Sequence, residues 1–154
     1  HSPNSFKMDL SKLELHLTRT KLVIGDVEST VKTFFRQYKP SPIGAIMFDL
    51  DYYTSTRDAL AIFSESQKYY LPRIHLYFDN IKLTNEFIGE LLAISEFNSM
   101  NEKKKIAHPY KFEQYFPNIE SGERIFTYHD FSHPLYNHNS STELAEAPII
   151  EEGT

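Results

Sequence analysis

Apolar residues along the chain follow two rhythms in turn. Unbroken apolar runs read as strands, and runs spaced at three and four residues read as helices. The spacing predicts a short helix over 9–19, capped by Asp9, with Leu10, Leu13 and Leu17 on one face. Lys21 to Asp26 reads as a short strand ending at the Gly25 turn. Over 28–39, Val31, Phe34, Phe35 and Tyr38 keep helical spacing, Glu28 suits the first turn, and Pro40 and Pro42 stop the helix. A strand over 43–49 follows, and its apolar positions do not alternate with polar ones, so both of its faces are expected to be covered.

A helix over 56–68 carries Ala59, Leu60, Ile62 and Phe63, with Thr54, Ser55 and Thr56 as candidate caps. Leu71-Pro72 ends it and a strand over 73–79 begins. Residues 85–98 form a helix with Phe87, Ile88, Leu91, Leu92 and Ile94 inward, and 104–107 and 124–129 supply two more strands. Strands and helices alternating in this way predict an α/β fold with a mostly parallel sheet flanked by helices. From Asn137 the composition turns polar, which divides the chain into a domain over 1–136 and a C-terminal tail over 137–154.

Composition narrows the reading. The length of 154 residues suits one domain, and 12 Phe with 10 Tyr give it bulky material for a core. No Cys is present, so disulfides and thiolate metal sites are excluded, and a reducing, cytoplasmic setting is expected. The net charge of −5 and the single short basic run Lys103-Lys104-Lys105 argue against nucleic acid as a partner. No apolar stretch approaches the roughly 20 residues that span a bilayer, so no membrane partner is expected. His129, His133 and His138 read as scattered loop and strand histidines, and His75 as a core histidine.

The chemistry concentrates at two strand ends. Ile43-Gly44-Ala45-Ile46-Met47-Phe48-Asp49-Leu50-Asp51 and Arg73-Ile74-His75-Leu76-Tyr77-Phe78-Asp79-Asn80 each run from apolar residues into acid. If the strands are parallel neighbours, Asp49, Asp51 and Asp79 meet at the edge where open α/β sheets hold ligands. Grouped carboxylates bind hard divalent cations, or take a proton from a hydroxyl. The plainer alternative is that each Asp caps a following loop or helix. Three enzyme classes use acids of this kind. A haloacid-dehalogenase-type phosphatase needs Thr or Val where Tyr53 stands, and the Asp-x-Asp of a metal-nucleotide glycosyltransferase is matched by the triplet alone.

The third class fits best. Residues 43–60, with Gly25-Asp26-Val27-Glu28, Leu71 to Ile81, Gly89 to Asn98 and Tyr128 to Tyr136, resemble class I S-adenosylmethionine-dependent methyltransferases. The likeness covers about residues 6–137 and is strongest to macrocin-type O-methyltransferases and their bacterial relatives. It implies a Rossmann-like fold in which Asp49, Asp79 and Asn80 hold Mg²⁺, Asp51 is the base for the acceptor hydroxyl, and Asp26 lies near the adenine of the donor. Where the pattern has two acids this chain has Asp79-Asn80, so one negative charge is missing.

The Gly-rich turn that brings backbone to the methyl donor is also missing. The five glycines, Gly25, Gly44, Gly89, Gly122 and Gly153, lie far apart. By the resemblance, the chain is the C-terminal part of a methyltransferase domain without its first two strands. Those strands would lie between strand 21–25 and strand 43–49. The open edge of strand 43–49 is therefore expected to be paired, by strand 21–25 through a right-handed crossover or by a second copy of the chain. The implied activity is methyl transfer from S-adenosylmethionine to a hydroxyl of a small molecule, with little donor binding by these residues alone. The alternative is a non-catalytic methyltransferase-like remnant that serves as an assembly module.

Overall fold

The computed structural model describes residues 9, 12, 19–83, 85–111, 114 and 122–137. Most of the helix expected over 9–19, and the tail beyond 137, lie outside them. In chain order the elements are α1 (Val27–Tyr38), β1 (Ile43–Phe48), α2 (Tyr53–Leu60), β2 (Tyr70–Phe78), α3 (Gly89–Met100), β3 (Lys104–Ala107) and β4 (Ile125–Asp130). Short 3-10 turns follow α2 and precede β2 and β4. The strands form one sheet in the order β1-β2-β4-β3.

The α/β class is as expected, but the sheet is mixed rather than mostly parallel. Only β1 and β2 run parallel, and β4 is antiparallel to both of its neighbours. β4 lies between β2 and β3 and runs against both, a direction that apolar spacing does not reveal because it reads the same either way along a strand. The arrangement is compatible with a Rossmann-like fold.

The strands also bury only one face. Along β2, Ile74, Leu76 and Phe78 are fully buried, while Arg73 and His75 are exposed. The registers place Phe126 beside Leu76 and Tyr128 beside Ile74. These side chains form one core with Phe35, Ala59, Leu60, Phe63, Ala93, Ile94 and Phe97 from the helical layer. On β1, Ala45 and Met47 point away from that core, and Met47 is 77% exposed. The expectation that strand 43–49 is covered on both faces is thus corrected: an unbroken apolar run here marks an edge strand with one bare face. His75 likewise lies on the open face and not in the core.

Other boundaries move for identifiable reasons. Residues 21–26 form no strand; Gly25 takes a φ of +155° and Asp26 caps α1. Strand β1 consequently ends the described sheet, and residues 21–25 do not pair with it. Helix α2 begins three residues before the expected start and breaks into 3-10 turns after Leu60. Strand β2 starts at Tyr70, with Pro72 inside it. The register to β1 slips around that point, and pairing with β4 starts only at Arg73, so no ladder bond is asked of the proline. Phe87 and Ile88, expected inward, are exposed before α3 begins. Among the described residues no helix is long and apolar enough to cross a membrane.

Candidate functional site

The parallel pairing brings the two acidic strand ends together. Phe48 lies opposite Phe78 in register, and their rings stack at 4.6 Å. The ladder runs one step further, because the Asp79 amide donates to the Phe48 carbonyl at 3.0 Å. Asp49 and Asp79 therefore leave the sheet side by side. Asp51 follows on the β1 side, and its Oδ1 accepts from Asn80 Nδ2 at 3.1 Å. Both Asp49 and Asp51 are exposed.

Asp79 is held more firmly. Its Oδ1 accepts from Arg124 Nη1 at 2.7 Å and from the Tyr77 hydroxyl at 3.0 Å. Arg124 Nη1 also donates to the Tyr77 hydroxyl at 2.8 Å, which closes a three-membered set. Tyr77 comes from β2, and Arg124 from the turn that opens β4. The antiparallel insertion of β4 is what carries this arginine to the acidic edge.

Beneath the Asp79-Asn80 turn lies Glu90, which is fully buried. Gly89 takes a φ of 60°, a conformation that suits glycine, and the chain then enters α3 with Glu90 directed inward. Glu90 Oε2 accepts the Asn80 backbone amide at 3.0 Å, whereas Oε1 has no partner. Burial, against the pull of the Asn80 amide and together with Asp79, Asp49 and Asp51, pushes its carboxyl up to about 7. All three strand-end acids thus act on one buried carboxyl.

Neither Glu90 nor Arg124 was among the residues expected from the sequence. Glu90 did carry a signal. Glu90, Ala93, Ile94 and Phe97 stand at i, i+3, i+4 and i+7, which puts an acid on the apolar stripe of a helix. Arg124 had none, because only the reversed strand order brings it near Asp79.

The expected cation ligands are neighbours but are already engaged. A divalent cation asks for about six oxygens free to turn toward it. Here one Asp79 oxygen is ion-paired with Arg124, and Asn80 presents its NH₂ to Asp51. Among the described residues no three His, Cys, Asp or Glu side chains group in a way that could hold a metal ion. As arranged, the donor set does not fit a cation.

The remaining expected residues fall as follows. Asp26 caps α1, its Oδ1 accepting from the Ser29 amide at 3.4 Å. The next residue, Val27, lines an apolar groove of about 370 Å³ that runs along β1 past Ile46 and Met47 to Asp49. Tyr53 turns inward, packs against the core and donates to Glu96 at 2.6 Å, whereas Tyr52 is exposed. His129 bonds Tyr136 at 2.8 Å and stacks on Phe131. In the basic run, Lys104 and Lys105 donate to the carbonyls of Phe63 and Asn98 at 2.5 and 2.6 Å. No family model, no curated protein and no solved structure matches the chain significantly.

Proposed function

We propose that the acidic edge is the acceptor end of an O-methyl-transfer site that uses S-adenosylmethionine. The observation that carries this reading is the convergence of Asp49, Asp51 and Asp79 around Glu90 at the carboxyl ends of two parallel strands. That edge is where α/β sheets place ligands. S-adenosylmethionine, when bound, supplies an electrophilic methyl group. Asp51 is exposed, and the Asn80 amide fixes one of its oxygens. The other is the candidate acceptor for the proton of a small-molecule hydroxyl. The β1 groove ends at Asp49 and begins beside the Asp26 cap, so it suits a flat apolar group such as adenine. At about 370 Å³ it stands at the low end of ligand cavities, which run from roughly 300 to 1,000 Å³. No step is routed through Mg²⁺.

A second reading has its own support. Strand β1 has a free edge among the described residues, carries exposed Met47, and lacks a charged residue along its length. Such an edge suits strand addition by a second copy of the chain. Calorimetric titration of the 154-residue chain with S-adenosylmethionine separates the two. Saturable binding, even near about 1 mM (about −4 kcal/mol), that Val27→Glu abolishes supports the methyl-transfer reading. Absence of saturable heat, with a concentration-dependent doubling of mass, supports the assembly module instead.

A further inference from the structure

We propose that Arg124 is the resident cation of the acidic edge: its guanidinium takes up Asp79 and so keeps a divalent metal out. The inference concerns the edge itself and stands independently of methyl transfer.

Three observations carry it. Arg124 Nη1 lies 2.7 Å from Asp79 Oδ1 and 2.8 Å from the Tyr77 hydroxyl, so one nitrogen is fixed by two acceptors. Tyr77 donates to the same Asp79 oxygen at 3.0 Å, and the guanidinium carbon sits 5.9 Å from the Tyr77 ring centre. The arginine is therefore braced along its length, and its side chain is only 24% exposed. Finally, Asn80 is neutral, so Asp79, the acid that Arg124 holds, is the only carboxylate of the Asp79-Asn80 turn. Charge-assisted contacts from a planar fork are directional, and a bound carboxylate oxygen is no longer free to turn toward a metal.

Arg124 Nε is buried without a partner, as is Glu90 Oε1. Buried polar atoms left open in this way are rare in folded chains.

The test uses Mn²⁺ as the probe, followed by electron paramagnetic resonance on the full chain. The wild-type chain is expected to show no saturable Mn²⁺ binding up to about 1 mM, the weak end of carboxylate sites. Arg124→Gln frees Asp79 and is expected to tighten Mn²⁺ binding by roughly 10- to 100-fold, the range over which partners of ligands act. Arg124→Lys keeps the charge and stays silent. Asn80→Asp adds a second acid with Arg124 in place and also stays silent, and it decides the matter if Arg124→Gln does not fold. Saturable binding by the wild type, or by Asn80→Asp, overturns the proposal, because Asp79 is then available despite Arg124. A folded Arg124→Gln chain that remains silent overturns it equally.

Discussion

Phe48-Asp49 and Phe78-Asp79 look alike in the sequence, and their phenylalanines stack on each other in the core. Their acids nevertheless live in different settings. Asp49 follows an edge strand of the described sheet and is exposed, whereas Asp79 follows an interior strand and is held by Tyr77 and Arg124. The difference comes from position in the sheet. An interior strand has neighbours on both sides, and here the second neighbour delivers an arginine. Two identical local patterns thus acquire different electrostatics from the topology alone.

The sharpest way to probe that contrast is the group on which both ends act. Burial raises the Glu90 carboxyl to about 7, above its ordinary 4.5. The folded chain therefore holds a proton that the unfolded chain gives up. The stability from this site is complete below about pH 4.5 and is lost as pH rises toward 7. The full loss is about 3 kcal/mol at 1.4 kcal/mol per unit of pKa. Glu90→Gln should remove that slope, so urea denaturation of the two chains at pH 5 and pH 8 should show their stabilities diverging. Parallel profiles would mean that Glu90 is not held in a neutral, buried state.

Smaller effects separate the two ends themselves. Asp79→Asn leaves Arg124 and Tyr77 with a weaker acceptor and should cost about 1 kcal/mol, since the pair is partly exposed. Asp49→Asn should move stability by less than about 0.5 kcal/mol, toward a gain, because it relieves repulsion on Glu90. Equal costs at the two positions, read from thermal melts at low salt, would erase the distinction between edge and interior.

Much of the frame was legible in the sequence because it is written in local periodicity. Strand 43–49, the helix over 28–39 and the two acidic strand ends all follow from spacing that needs no partner. What local pattern could not convey was the neighbour. The reversal of β4, which makes the sheet mixed, depends on which strands β4 pairs with and not on its own apolar spacing. The bare face of β1 depends on which elements pack beyond it, and Ile43 to Phe48 reads the same with one face covered or two. Residues 21–26 show the opposite failure. Leu22, Val23 and Ile24 have strand character, but Gly25 and the Asp26 cap commit that stretch to launching a helix. At the site, Asp49, Asp51 and Asp79 announced themselves, Glu90 was concealed among helix positions assigned to packing, and Arg124 was invisible without the fold.

The one-sided sheet has a consequence for how the chain tolerates change. A saturation scan through β2 would trace a dotted line, with positions 74, 76 and 78 strict and 73 and 75 permissive. If some other surface rests against that bare side in the cell, the permissive positions would tighten there and remain lax in the purified chain.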